Sequence, residues 1–246
     1  MYQRSFIFIT ALFLLVSFSC SKKEITAKVT KRLSLGTETT YYDDGKEIGK
    51  RMCDVYDVCS GANIPDGVVN FNDDETRTSF KGTYKNNKRE GKFVYYENGK
   101  LKTEANYENN KLDGVGKIYY ESGKVSTETS YKHGTQDGIM RTYYEDGSLK
   151  EEVSYKNNKA NGLLVSYYKD GKVEVEKTLK NGKLNGPSKH YDETGNLQEE
   201  VMFINDVTDG VHRTFYKNGK IKEEETFVSG KKISSRTYDE NGKAKQ

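Results

Sequence analysis

The chain has 246 residues, 19 of them tyrosine and none tryptophan, and its formal net charge is +3. Hydrophobic residues make up 33% of the sequence, whereas about 45–50% is usual for the apolar residues of a globular domain. These values exclude a thick hydrophobic core, and the balanced charge gives no electrostatic footprint for nucleic acid. The periodic aromatic residues described below also argue against a disordered chain.

The first predicted element is an apolar segment at residues 6–18, with Arg4 shortly before it. The segment is too short to span a bilayer, which takes about 20 residues, and its position is typical of a secretory signal peptide. The pair Ser19-Cys20 resembles the end of a bacterial lipobox, in which the cysteine carries lipid and begins the mature chain. We therefore predict a signal peptide at 1–19 and lipidation of Cys20. An ordinary signal peptide and an uncleaved anchor are the alternatives.

Residues 20–40 are polar and lack clear periodicity, so beyond the lipidated cysteine they are predicted to form a tether to the folded body. Residues 41–90 are predicted to be degenerate N-terminal repeats with an inserted segment that contains Cys53 and Cys59. Export would place these cysteines in an oxidising compartment, which favours a disulfide between them. Two reduced thiols are the alternative, and no metal site is expected because no histidine lies nearby.

Residues 91–246 are predicted to form regular repeats, because the same pattern recurs every 24 residues. The copy at 138–161 has the aromatic pair Tyr143-Tyr144, then Gly147, then Glu152, then Tyr155. The corresponding turn glycines are Gly99, Gly123, Gly147, Gly171, Gly195 and Gly219, and the corresponding glutamates are Glu104, Glu128, Glu152, Glu176, Glu200 and Glu224.

Each copy is predicted to be a β-hairpin, since Asn-Gly and Asp-Gly are preferred in two-residue type I′ loops. The loop of this copy is placed at Asp146-Gly147, and the second connection, at 156–161, is predicted to be longer. Recurrent glycine and the many aromatic and β-branched residues disfavour helix. The predicted fold class is all-β: an elongated, single-layer antiparallel sheet of tandem 24-residue β-hairpin repeats.

A two-residue loop fixes the register of the hairpin and therefore which side chains meet. It places Arg141 opposite Glu152 and Tyr144 opposite Leu149. The same register opposes Lys117 to Glu128, Lys189 to Glu200 and Arg213 to Glu224, whereas Val165–Glu176 and Phe93–Glu104 lack the cation. One face is thus predicted to carry a ladder of ion pairs beside the first aromatic residue of each pair.

The other face is predicted to carry the second aromatic residue of each pair and the later tyrosine or phenylalanine. This face is the predicted binding face, because exposed aromatic rows suit contacts with peptides or glycans. Packing along the sheet is the alternative role of these residues. The candidates are Tyr96, Tyr120, Tyr144, Tyr168, Tyr216, Tyr107, Tyr131 and Tyr155.

The pattern Y-Y-x-x-G-K-[LVI]-x-x-E-x-x-Y-x-N-x-K-x-x-G resembles the MORN repeat variant of bacterial proteins, which include the YwqK-like antitoxins. The resemblance covers about residues 41–243. It implies an elongated, twisted antiparallel sheet with a groove, used in protein assembly or in contact with lipids. An export signal departs from what a cytoplasmic antitoxin would carry.

No catalytic residue, cofactor or metal is predicted. The histidines His133, His190 and His212 fall at different positions of the repeat and are interpreted as isolated surface residues. A glutamate repeated six times is architectural, and the sequence has no phosphate-binding loop, nucleophile elbow or zinc spacing. An envelope hydrolase would need an acid, a base or a nucleophile that the repeats do not share.

The predicted function is therefore a non-catalytic, lipid-anchored protein of the bacterial cell envelope, periplasmic or surface-exposed, that serves as a protein-binding or scaffolding module. Its predicted partners are an unknown protein or envelope polymer, and the membrane through the N-terminal lipid; nucleic acid is not expected, and the protein is predicted to be monomeric. The alternative is an antitoxin or immunity-like protein that sequesters one specific toxin.

Overall fold

The computed structural model describes residues 24–33, 36–54, 59–61 and 63–245. The described residues form one sheet of twenty strands and contain no helix, which confirms the predicted all-β class. The first strands are β1 Glu24–Leu33, β2 Gly36–Asp43, β3 Lys46–Asp54, β4 Cys59–Gly61, β5 Gly67–Asp73, β6 Thr78–Lys85, β7 Lys88–Glu97, β8 Lys100–Glu108, β9 Lys111–Leu112 and β10 Gly114–Tyr119. The remaining strands are β11 Val125–Lys132, β12 Thr135–Tyr143, β13 Leu149–Lys156, β14 Lys159–Tyr167, β15 Val173–Lys180, β16 Lys183–Tyr191, β17 Leu197–Ile204, β18 Val207–Phe215, β19 Ile221–Val228 and β20 Lys231–Thr237.

Consecutive strands pair antiparallel from β5 to β8 and from β10 to β20, as tandem hairpins require. The short β9 and the longer β10 lie along the same side of β8. One pairing among the described strands is parallel: β1 lies between β2, which is antiparallel to it, and β5, which is parallel. Strands β3 and β4 continue the sheet beyond β2.

The most buried apolar cluster lies where β1, β2 and β5 meet. It consists of Ile25, Ala27, Tyr41 and Val69, with partly buried aromatic residues packed against it. The alternation of Ile25 and Ala27 with exposed polar residues is the period-two pattern of a strand with one buried face. The structure thus differs here from the polar tether predicted for 20–40.

Three predictions near the N-terminus fall partly or wholly outside the described residues. The signal peptide and the lipidated Cys20 lie outside them. Cys53 and Cys59 are backbone partners in the β3–β4 pairing, but their side chains are outside the described part. The disulfide therefore stays a prediction, now with a backbone register that brings the two residues opposite each other.

In the copy at 138–161 the lengths of the two connections are the reverse of the prediction. At Asp146-Gly147 the Tyr144 N–H donates to the Ser148 carbonyl, and the loop contains one residue with positive φ, Gly147 at 97°. This geometry is a three-residue loop that ends in a left-handed glycine, so the predicted two-residue loop is wrong.

The two-residue type I′ loop lies instead in the second connection, which was predicted to be longer. Asn157 and Asn158 both have positive φ, 49° and 62°, and the flanking Lys156 and Lys159 are partners. The predicted two-residue loop is found at Asn98-Gly99. Asparagine occupies such positions because its short polar side chain tolerates the left-handed conformation.

The ladder register is nevertheless as predicted, because a β-bulge compensates for the longer loop. Tyr143 pairs with Leu149, so the predicted Tyr144–Leu149 pair is wrong. A bulge then adds one residue to β13 and restores Arg141 opposite Glu152. The other predicted ladder pairs are confirmed in the same way: Lys117–Glu128, Lys189–Glu200, Arg213–Glu224 and Val165–Glu176.

The hairpin with the two-residue Asn98-Gly99 loop has a bulge too, but it lacks the third loop residue that the bulge offsets in the β12–β13 hairpin. The bulge on β8 shifts the register by one residue, and Glu104 pairs with Val94 rather than with the predicted Phe93. The side-chain period of two makes such a shift decisive for which residues share a face.

Adjacent hairpins are also joined by hydrogen bonds at the edge formed by the two-residue loops. The Asn158 N–H donates to the Gln136 carbonyl at 2.9 Å, and the Gln136 N–H donates to Asn158 Oδ1 at 2.6 Å. The asparagine thus bonds both backbone groups of a residue in the preceding hairpin. Stability in a repeat array of this kind comes from contacts between neighbours.

Candidate binding surface

The two faces of the sheet carry different chemistry, as β13 shows. Side chains alternate along a strand, so Glu152, Ser154 and Lys156 lie on one face and Val153 and Tyr155 on the other. We call the side that carries Glu152 the ladder face. We call the side that carries Tyr155 the aromatic face.

A row of alternating charges crosses the ladder face. Three of its pairs are in direct contact, with nitrogen–oxygen distances of 2.8 Å in Lys117–Glu128 and 2.7 Å in both Arg141–Glu152 and Arg213–Glu224. Val165 interrupts the alternation of sign. Successive backbone partners in the row are Glu104, Lys117, Glu128, Arg141, Glu152, Val165, Glu176, Lys189, Glu200, Arg213, Glu224 and Arg236.

The first tyrosine of an aromatic pair lies beside this row, as predicted, and bonds to it. Tyr143 Oη donates to Glu128 Oε2 at 2.9 Å. The hydrogen bond from Lys117 lowers the pKa of Glu128, and the same bond raises the pKa of Lys117. Burial, followed by the hydrogen bond to Glu128, raises the pKa of Tyr143. These mutual effects favour the ionised forms of Lys117 and Glu128. The row contains six carboxylates and five cations, so its charges nearly balance, which suits a structural role.

The aromatic face has a row of large side chains, each opposite a glycine. At Gly138, φ is 117°, and a Cβ atom there would stand 2.8 Å from the Ser130 Cβ. A larger residue would therefore be both strained and crowded at this position. The pairs are Gly91–Tyr107, Gly114–Tyr131, Gly138–Tyr155, Gly162–Leu179, Gly186–Phe203 and Gly210–Phe227.

Apolar burial on this face reaches core levels without a second layer. Val153 is only 3% exposed, and its backbone partners on the two neighbouring strands are Met140 and Leu164. Because the described residues form a single sheet, the cover over Val153 must come from side chains of the same face. The aromatic face is therefore a packed surface as well as a candidate for binding.

Seven of the eight predicted binding tyrosines lie on the aromatic face, in two rows at opposite ends of the strands. Tyr155 lies opposite Gly138, near the two-residue loops, whereas Tyr144 lies six residues further along, beside the three-residue loop. At about 3.3 Å per residue the two rows are roughly 20 Å apart. The first row contains Tyr107, Tyr131 and Tyr155, and the second contains Tyr120, Tyr144, Tyr168 and Tyr216. Tyr96 lies on the same side of β7 as Val94, the partner of Glu104, and therefore on the ladder face rather than on the predicted binding face.

Hydroxyls of the second row join adjacent hairpins. Tyr144 Oη donates to the Tyr167 carbonyl at 2.8 Å, and Tyr168 Oη donates to the Tyr191 carbonyl at 2.7 Å. Tyr120 and Tyr216 form the same bond with the following copy. These four tyrosines therefore have a structural role, the alternative to binding.

An open groove on the aromatic face surrounds Tyr107. Its volume is about 200 Å³, and its lining includes Phe80, Tyr84, Arg89 and Phe93. The Phe93 ring meets Tyr84 and Tyr107 edge-on, with centroids 5.3 and 5.2 Å apart. The Arg89 guanidinium lies 4.1 Å above the Tyr107 ring. The groove thus offers an apolar floor, three aromatic edges and one cation to a ligand.

The groove forms here because the regular hairpins and the degenerate ones differ. Gly82 lies opposite Phe93, and a Cβ atom at Gly82 would stand 2.2 Å from the Phe93 ring. The ring therefore rests directly on the backbone of β6. Sequence reasoning did not single out Arg89 or Gly82, because neither belongs to the 24-residue pattern.

The histidines do not meet one another in a shared site. His133 is exposed, with Nδ1 3.2 Å from Asp113 and 3.9 Å from Glu108. These three residues could offer ligand atoms to a metal ion within 4.8 Å of one another. Asp113 already accepts a hydrogen bond from the His133 N–H at 2.9 Å, which gives it a role in the turn. His212 lies between two glutamates on the aromatic face.

The sheet, its 24-residue period and its two kinds of turn define a tandem β-hairpin repeat protein. The chain belongs to the MORN repeat variant family, which matches residues 89–109, 112–133, 136–157, 160–181, 184–205 and 208–229, more than half of the sequence. Proteins built from MORN repeats generally serve as non-catalytic modules that bind membranes or other proteins. No curated protein matches the chain significantly. Within the described residues no helix is long and apolar enough to cross a membrane.

Proposed function

We propose that this protein is a lipid-anchored module of the bacterial cell envelope that binds another protein through the groove around Tyr107. The single observation that supports the choice of site is the geometry of the groove. It combines a concave apolar lining with an arginine stacked on an aromatic ring. Aromatic residues and arginine are the side chains most enriched where binding energy is concentrated in protein interfaces.

The neighbouring repeats supply a contrast within the same chain. Tyr155 occupies the position of Tyr107 two copies later and also lies opposite a glycine. Among the aromatic contacts of the described residues, the stacked arginine and the edge-on phenylalanine occur together at Tyr107 and not at Tyr155. A partner side chain therefore meets an arginine and a phenylalanine together at Tyr107, a combination that Tyr155 lacks among the described residues.

In-cell cross-linking followed by purification of the full-length protein tests this site. Tyr107→Ala and Arg89→Ala should each reduce recovery of the partner, whereas Tyr155→Ala should leave it unchanged. Equal recovery from all three variants would refute the assignment of the groove. A single partner at 1:1 stoichiometry would favour the antitoxin or immunity-like role, and several envelope proteins or a polymer would favour scaffolding.

The lipid anchor is the second part of the proposal, and it rests on the sequence around Cys20. Each buried CH₂ of an acyl chain contributes about 0.8 kcal/mol, so several chains would hold the protein on the membrane almost permanently. Cys20→Ala should move the protein from the detergent-extracted membrane fraction to the soluble fraction. Unchanged fractionation, or an unprocessed N-terminus by mass spectrometry, would contradict the anchor.

A further inference from the structure

The ladder face carries a second periodic row that is independent of the tyrosines and glutamates. It lies two residues from the charged row, on every second strand, and its backbone partners include Ser130, Ser154 and Thr178. We call it the aliphatic row. Its members recur every 24 residues and are Val115, Ile139, Leu163, Pro187 and Val211.

Three of the five members of the aliphatic row, Val115, Leu163 and Pro187, are exposed, and Ile139 and Val211 are half-buried. Leu163 is 49% exposed and Val115 is 42% exposed, and Met202, the partner of Pro187, is 39% exposed. Val115 and Leu163 therefore contribute little to the packing of the sheet, unlike the buried Val153 on the opposite face. A periodic row of exposed apolar residues marks a surface available to a partner.

Lysines border the aliphatic row on the side of the two-residue loops. Lys156 lies on the ladder face and meets Asp137 at 3.2 Å. Lys159, Lys180 and Lys183 flank the same loops, and within the described residues none of these three has a carboxylate within 4.0 Å. We call Lys159, Lys180 and Lys183 the turn lysines. On its other side the aliphatic row is bordered by the charged row, which holds six carboxylates and five cations; within the described residues Glu176 has no lysine or arginine within 4.0 Å.

We propose that an acidic amphipathic helix of a partner protein docks along the aliphatic row, with its carboxylates on the turn lysines. This inference goes beyond the proposed function, since it concerns the opposite face from the groove. Charge complementarity selects an acidic partner, because within the described residues the unpaired charges at the two-residue loops on either side of Leu163 are the turn lysines. The apolar residues of the helix would cover Leu163 and its neighbours in the row.

The spacing of the row supports a helix. Successive members are two strands apart, about 9.6 Å, and seven helical residues advance about 10.5 Å. Neighbouring strands rotate by about 20–25°, so a straight helix can follow the row over about two repeats. The contact is therefore centred on Leu163, which lies between the two pairs of loop-flanking lysines. A flat anionic membrane fits less well, because it would also meet the glutamates of the charged row.

Fluorescence anisotropy with the full-length protein tests the proposal. The probe is a synthetic helical peptide of three heptads with leucine at the a and d positions and glutamate at the flanking positions. A second peptide has lysine in place of every glutamate. The glutamate peptide should bind and the lysine peptide should not. Leu163→Asp, and the double variant Lys180→Glu with Lys183→Glu, should weaken binding about tenfold or more.

The matched control is Ile118→Asp, which changes an equally exposed apolar residue, 50% exposed, on the other face. It should leave binding of the glutamate peptide unchanged, and so should Tyr107→Ala, so failure of the groove and failure of the aliphatic row are distinguishable. Circular dichroism confirms that each variant remains folded.

Four kinds of result would overturn the proposal. The first is no binding of the glutamate peptide. The second is a lack of discrimination, seen either as equal binding of the two peptides or as a loss with Ile118→Asp equal to that with Leu163→Asp. The third is binding to vesicles of phosphatidylglycerol and phosphatidylcholine that depends on Leu163, which would make the row a membrane contact. The fourth is self-association in sedimentation that Leu163→Asp abolishes, which would make it a contact between two copies.

Discussion

Adjacent residues of β13 should lose very different amounts of stability on a change of charge. Val153→Asp places a carboxylate on the aromatic face, at a site that is 3% exposed. The loss of a buried valine costs about 1.5 kcal/mol, and an unpaired buried polar group costs a further 1–3 kcal/mol or more. The free energy of unfolding should therefore fall by about 3–5 kcal/mol.

Glu152→Gln removes a charge from the ladder face and keeps the size of the side chain. The Arg141–Glu152 pair is short, 2.7 Å, but its two side chains are 39% and 32% exposed. Pairs exposed to this extent are worth about 0–1 kcal/mol, because water screens them. The free energy of unfolding should therefore fall by less than about 1 kcal/mol.

Urea unfolding followed by circular dichroism measures both changes. Leu163→Asp is the matched control, because it introduces the same charge at an apolar residue that is 49% exposed and should cost less than about 1 kcal/mol. If Glu152→Gln proves more damaging than Val153→Asp, the charged row rather than the aromatic face is the main source of stability. A similar loss in Leu163→Asp would refute the role given to burial.

Three further outcomes follow from the rows of the sheet. Val165→Lys should be more stable than the neutral Val165→Met by up to about 1 kcal/mol, because glutamates flank this position, and a difference that does not shrink in high salt would contradict the electrostatic reason. Tyr144→Phe should lower the free energy of unfolding by about 0.5–1.5 kcal/mol through loss of its hydroxyl bond to the next hairpin, and an unchanged urea midpoint would contradict it. The pKa of Glu128 is lowered in the fold, so its contribution is complete above the unfolded pKa and is lost as the pH falls through the folded pKa; Glu128→Gln should therefore show a smaller loss of stability on acidification.

Part of this architecture was determined by local sequence alone. The spacing of the turn glycines set the period, and the aromatic and β-branched runs excluded helix. The pairing of Arg141 with Glu152 was predicted correctly, although for an incomplete reason. The three-residue loop shifts the pairing of β12 with β13 by one residue. The bulge on β13 shifts the pairing back, so Arg141 again lies opposite Glu152.

The roles of the tyrosines depended on contacts between hairpins. The sequence pattern predicts the same binding role for Tyr144 and Tyr155. The structure separates them, because Tyr144 donates to a carbonyl 23 residues further on, in the next copy. A single copy contains no information about that acceptor.

The burial of the N-terminal strand β1 and the formation of the groove depend on tertiary structure alone. Ile25 is buried because β1 lies parallel to β5, a pairing across more than forty residues that no local period predicts. The groove at Tyr107 likewise needs Arg89 and Phe93 from a neighbouring strand. Local sequence can set strands and turns, since each depends on a few adjacent dihedral angles, but the partner of an irregular strand depends on which distant surface it can bury.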